Sequence, residues 1–337
     1  MTYDAGDPLP AEFRRLADKV RNWGRWGDGD QLGTLNLLTA DHVRAAAALV
    51  KRGQVFSLGA EFGPDGPWAG HAWRRNTILT MRVDGGDAES LGTHLTRHAD
   101  EVAQQTAATW RTGVTRFNED MVVMPLQAST QWDALSHIYY EGQMYNGHPA
   151  AAVTSFGATL NAVDQVHEKG IIGRGVLLDL ARHRGVDFLP RHASIPPEEL
   201  DEIAKAQHVE IRPGDIVVTR TGWGWDHFRR LGNGSDWLGG TPGLSWRCAE
   251  WLYERQVAAV ASDNCSVETA AQDLKGIWLP FHMLTIRDMG MMMGEIWQLE
   301  ELAADCATDG VYEFQIVAPV LRVIGAVGSP VNPIAVK

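Results

Sequence analysis

Residues 173–182 read GRGVLLDLAR, residues 196–207 read PPEELDEIAKAQ and residues 214–223 read GDIVVTRTGW. The first is an apolar run that opens on glycine and ends in charge. The second is a helix with proline at its start, and the third has the uninterrupted apolar character of a buried strand. The alternation continues through GLSWRCAEWLYERQ (243–256), with helical periodicity, and VAAVASDN (257–264), an apolar run entering a polar strand end. LEELAADCATDG (299–310) is a further helix, and residues 313–336 close the chain as one or two buried strands. Strands and helices alternate without a linker, repeat or low-complexity segment, which predicts an α/β fold with a mixed sheet.

The first half is less regular. Thr39 can cap a helix that Gly53 can end, and QVFSLGAEF (54–62) has strand character. Turn residues crowd positions 61–120, where NTILTMRV (76–83) is the clearest strand, so long loops that carry specificity are expected there. The expected organisation is one compact domain over residues 1–337, with residues 1–60 as an N-terminal extension packed on it.

Hydrophobic residues make up 45% of the 337 positions and charged residues 21%, which is enough apolar material for a sizeable core. A net charge of −12 without a concentrated basic patch argues against a nucleic-acid partner. Cys248, Cys265 and Cys306 are too few and too scattered for a disulfide framework or a zinc knuckle, and reduced thiols in a cytoplasmic protein fit them best. The N-terminus has acids and prolines where a leader peptide needs basic and apolar residues. No window reaches the roughly 18 apolar residues of a membrane span.

Candidate chemistry concentrates in PLQASTQWDALSHIYY (125–140). In an extended segment Gln127, Ser129, Gln131 and Asp133 project to one face, with His137 a short turn beyond. Such a set offers oxygen and nitrogen ligands to manganese, magnesium, calcium or zinc. An edge strand turning polar residues to solvent is the competing reading. A second cluster, LPFHMLTIRDMGMMMGEIW (279–297), holds His282 thirteen residues before Glu295. By itself His282 is as readily a hydrogen-bonded core histidine, and the methionines core filler. Softer points are Asp263, Glu268, the RTGWGW turn (220–225), and His94 with His98, which four residues apart on a helix could share a metal or simply face solvent.

Together these segments resemble the cyclase family of metal-dependent hydrolases, which includes bacterial kynurenine formamidase, isatin hydrolase and trans-dienelactone hydrolase. The resemblance runs from NWGRWGDGDQLGTLNLL (22–38) to GSPVNPIAV (328–336). The family motif His-x-Gly-Thr-His-x-Asp-x-Pro-x-His is matched by Gln127, Ser129, Thr130, Gln131, Asp133, Leu135 and His137, so two glutamines replace two histidines.

What the resemblance implies is a compact domain around a barrel-like mixed sheet with surrounding helices, of the swivelling β/β/α kind, assembled as a homodimer or homotetramer. It implies one divalent ion, manganese or zinc, on Asp133, His282 and Glu295 with Gln131 as an added oxygen ligand. His137 would transfer protons, and Gln127, Thr130, Trp132 and Trp223 would lie in a second shell or touch substrate. The implied reaction is metal-assisted hydrolysis of a small cyclic or N-acyl carbonyl compound, an amide, lactone or imide. The 13 tryptophans make an aromatic substrate attractive, although core and subunit packing explains them equally well. A non-hydrolytic cyclase or lyase, and a metal-free binding protein on the same fold, are the alternatives.

Overall fold

The computed structural model describes residues 9–84, 105 and 118–337. By its contacts the chain divides into two compact units, Phe62–Pro125 and a larger one made of Met1–Glu61 with Leu126–Lys337. In the smaller unit Ile78–Val83 pairs with Glu119–Val123 as an antiparallel ribbon with a bulge between Met81 and Val83. His94 and His98 lie outside the described residues.

The larger unit is built on a mixed nine-stranded sheet that curls as a half-barrel among helices. Numbered in chain order, its strands are β1 (Val55–Ser57), β2 (Gln131–Asp133), β3 (Ile172–Asp179), β4 (Ile216–Arg220), β5 (Ala259–Ser262), β6 (Met292–Glu295), β7 (Glu313–Val317), β8 (Gly328–Pro330) and β9 (Ile334–Val336). Their order across the sheet is β1-β9-β7-β3-β4-β5-β6-β2-β8. The central strands β3 to β6 are parallel, as the helix-linked apolar runs demand, and every residue of β4, β5 and β6 is buried. Gly175 is required in β3 because a Cβ there would stand 2.3 Å from the ring of its partner Phe314. The closing segment supplies three strands, one more than expected. Residues 318–327 carry the chain from β7 on one side to β8 on the other, and residues 331–333 bring it back to β9.

Several helices follow the sequence, and others, such as Trp225–Leu231 and Gly234–Leu238, were not read from it. Pro197–Ala206 starts on proline and buries Leu200, Ile203 and Ala204. Thr39 does begin a helix, its N–H donating to His42 Nδ1 at 3.2 Å, but the helix is Ala40–Ala47 and ends well before Gly53. A further helix, Ala11–Val20, arises where only a polar lead-in was expected. Phe13, Leu16, Ala17 and Val20 form its buried stripe, and each of the larger three contributes about 1.5–3 kcal/mol on burial.

The segment that follows this helix supports the residues of the site. A π-helix, Met283–Met289, leads from His282 toward β6. Its terminal carbonyls are satisfied from the N-terminal segment: Trp23 Nε1 donates to Arg287 O, Asn22 N to Asp288 O and Asn22 Nδ2 to Met289 O, all at 2.9–3.0 Å. Gly33 sits so close that a Cβ would be 1.8 Å from Gly290 O, at a backbone φ of +57°. Cys248, Cys265 and Cys306 form no disulfide. Among the described residues no helix is long and apolar enough to cross a membrane.

Candidate metal centre

Only Gln131–Asp133 of the polar segment is a strand; residues 126–130 form a turn and bend, so the extended run expected from Gln127 onward is shorter. Within β2 the two-residue period still puts Gln131 and Asp133 on one face. Pairing with β6 sets Gln131 directly opposite Glu295 and Asp133 opposite Met293. Opposed residues share a face, so Glu295 joins the other two. Gln131 Nε2 donates to Glu295 Oε2 at 2.7 Å and reaches Asp133 Oδ1 at 3.4 Å, so in this arrangement the amide nitrogen, and not the oxygen expected as an added ligand, faces the carboxylates.

His282 approaches from the helical turn Pro280–His282, which starts on proline after Leu279 in a left-handed conformation and has no capping side chain of its own. Glu268 supplies the cap from elsewhere. Its Oε1 accepts from His282 N and its Oε2 from Phe281 N, both at 3.0 Å, while Oε1 lies 2.5 Å from His282 Nδ1. With Nδ1 held there, Nε2 is turned to the carboxylates, 3.2 Å from Glu295 Oε1 and 3.9 Å from Asp133 Oδ2. One ligand atom each from Asp133, His282 and Glu295 lies within 4.8 Å of the others, and all three residues are buried.

Two carboxylates buried this close repel unless positive charge stands between them. Burial disfavours charge on His282, but the hydrogen bonds and charges of Glu268 and Glu295 prevail and push its pKa up to about 10. The imidazolium thus carries the compensating charge in the metal-free cluster. Two anionic oxygens and an oriented imidazole suit a divalent cation of intermediate hardness, so the donor set fits one such ion. His137 stands at the edge of this cluster with 21% of its side chain exposed and Nε2 3.8 Å from Asp133 Oδ2.

The remaining expected residues divide. Gln127 belongs beside the cluster, because a Cβ on Gly328, the register partner of Asp133, would lie 2.5 Å from Gln127 Nε2. Thr130 is a strut: its Oγ1 accepts from Ala60 N at 2.7 Å and donates to Ile296 O. Trp132 lies in the core on the opposite face of β2, donating to Ala318 O and packed edge-on to Trp297, which removes it from the cluster's side. Trp223 is occupied by Trp237, each indole N–H donating to the other's backbone carbonyl at 2.9 and 2.7 Å. Asp263 clamps the 220–225 turn, accepting from Thr221 N, Thr221 Oγ1 and Gly222 N. Glu268 had no readable role in the sequence. Its one signal is a proline-started helical turn with no local cap. A groove of about 520 Å³ lies elsewhere, between Glu12, Lys19, Trp246, Trp251 and Arg255, and includes none of these residues. The converging ionisable groups, not that volume, mark the site.

Known proteins agree with this architecture. The family described as "Putative cyclase" matches residues 67–269, more than half of the chain. The crystal structure of a novel cyclase is 38% identical, with a TM-score of 0.80, covering 94% of this chain and 100% of the other. Isatin hydrolase A from Ralstonia solanacearum shares the fold at 17% identity and a TM-score of 0.58, covering 89% and 98%. A "predicted metal-dependent hydrolase" from Bacillus stearothermophilus does so at 15% and 0.51, covering 85% and 98%. No curated protein matches the chain. The sequence match over residues 67–269 and the 38% identical structure that it covers end to end make this chain a member of the cyclase family.

Proposed function

We propose that this protein is a metal-dependent hydrolase that opens or cleaves a small cyclic or N-acyl carbonyl compound, at a C–N bond or an ester. The observation that carries the reading is the convergence of Asp133, Glu295 and His282 Nε2 within 4.8 Å, with Glu268 fixing the imidazole. The hydrolases among its fold neighbours, one named for isatin, are in keeping with it.

In this reading Asp133, Glu295 and His282 hold one divalent ion, manganese or zinc. When bound, the ion supplies Lewis acidity toward a carbonyl oxygen and toward water. To hold the ion, His282 would have to be the neutral imidazole. Glu268 keeps Nε2 on the ion's side, and Gln131 holds the Glu295 and Asp133 carboxylates in position through its amide nitrogen. His137, at the solvent edge beside Asp133, takes a proton at Nε2 and returns it to the leaving group.

The test is removal and return of metal. Chelation should abolish hydrolysis, and manganese or zinc should restore it with incorporation of solvent oxygen-18 into product. Full activity in chelated protein would end the reading, and turnover without oxygen-18 would replace it with a lyase or cyclase.

A further inference from the structure

Gln131 is fully buried, and its amide lies with the nitrogen toward the two carboxylates. Nitrogen toward Glu295 and Asp133 makes two favourable contacts, whereas oxygen there would face two anions. That choice leaves Gln131 Oε1 buried with no hydrogen-bond partner among the described residues. Gln127 Nε2 is likewise buried and unpartnered, and it lies on the side-chain face of Asp133 through the space that Gly328 leaves open. Buried polar groups are almost always paired, so an acceptor and a donor left unpaired beside a cluster of ligand groups point to a partner that arrives from outside.

Asp133, His282 and Glu295 already supply the ligands for a cation, so the two neutral amides suit a neutral, hydrogen-bonding partner. The cluster polarises one carbonyl, Gln131 Oε1 needs an N–H, and Gln127 Nε2 needs another acceptor. We propose that the two glutamines form a subsite for the unit C(=O)–NH–C(=O), so that the substrate class is cyclic imides with a free N–H. This rests on the hydrolase reading above and narrows it. The Gln131 amide touches both carboxylates, so in this proposal the imide nitrogen, the atom next to the polarised carbonyl carbon, donates to Oε1. The imide's second carbonyl then accepts from Gln127. The reaction is balanced by water alone. A water oxygen bonds to the polarised carbonyl carbon, the ring C–N bond breaks, and the nitrogen leaves with a proton from His137 as a primary amide. Gln131 Oε1 keeps its N–H donor in that product.

The experiment compares phthalimide, N-methylphthalimide and the lactone phthalide on wild type, Gln131→Met and Gln127→Leu. In wild type kcat/KM for the N–H imide should exceed that for the N-methyl imide by roughly 100-fold, because methylation leaves a buried acceptor unpaired. In Gln131→Met the ratio should fall toward one, and any metal lost by that variant cancels because the ratio is taken within one protein. Gln127→Leu should weaken both imides alike. Calorimetry on chelated wild type with succinimide and N-methylsuccinimide should show the same preference in binding. A ratio near one in wild type, a preference for phthalide, or a ratio unchanged in Gln131→Met would overturn the proposal. If none of the three compounds is hydrolysed with metal restored, the hydrolase reading fails. The binding preference of the chelated protein then decides the subsite by itself: kept, it stands; absent, it falls.

Discussion

Replacing Glu268 by glutamine isolates the support beneath His282 without changing its volume. The carboxylate now serves three donors, with Oε1 on His282 N and close to Nδ1, and Oε2 on Phe281 N. A glutamine has one acceptor oxygen, so whichever way it lies, its NH2 group meets a donor. Losing one buried hydrogen bond to a charged acceptor costs about 1.5–3 kcal/mol, and weakening the bond to Nδ1 adds to that. The larger consequence is for metal binding, since an imidazole released at Nδ1 no longer presents Nε2 at a fixed angle. Loss of such an orienting partner lowers metal affinity about 10- to 100-fold, equivalent to about 1.4–2.8 kcal/mol. The assay is calorimetric titration of chelated wild type, Glu268→Gln and Glu268→Ala with manganese and zinc, with urea unfolding of the same samples to separate site loss from global destabilisation. Dissociation constants within about threefold of wild type, in variants that unfold normally, would refute the claim that Glu268 positions His282.

Three further outcomes are expected. His137→Ala should lower turnover by about 10²- to 10⁴-fold while bound metal per chain stays near the wild-type value; metal lost in proportion to activity would make His137 a ligand instead. Gly33→Ala should destabilise the protein by at least about 2 kcal/mol, because its φ of +57° and the 1.8 Å approach of a Cβ to Gly290 O admit no side chain; an unchanged urea midpoint would contradict the docking of the N-terminal segment on the π-helix. In metal-free protein His282 is raised from 6.5 to about 10, Glu268 and Glu295 prevailing over burial. The folded value lies above the unfolded one, so its contribution is whole below pH 6.5 and disappears as pH rises through about 10. Unfolding midpoints between pH 6 and 10 should therefore fall more steeply for chelated wild type than for His282→Gln, and parallel profiles would remove His282 from the linkage.

The sequence by itself determined the central strands and half of the cluster. Apolar runs such as 172–179 and 216–220 sit in parallel central strands because only burial on both faces tolerates them, and the strand period put Gln131 and Asp133 on one side. The resemblance added His282 and Glu295 to the same group. The structure decided what no local pattern encodes. The antiparallel register of β2 on β6 set Gln131 opposite Glu295, 164 residues away. Just past the end of β6, Ile296 N donates to Asn264 O and Trp297 N to Ser262 O. Glu268 became the cap of a helical turn that lacks its own, and Trp132 and Trp223, equally plausible on paper as substrate contacts, were taken by Ala318 and Trp237. The polar lead-in proved to carry a helix because its apolar stripe is completed only when Phe13 and Val20 meet the core. Periodicity is a property of neighbours along the chain and survives in the sequence; register, capping from a distance and the partner of a buried amide are fixed only when remote segments pack.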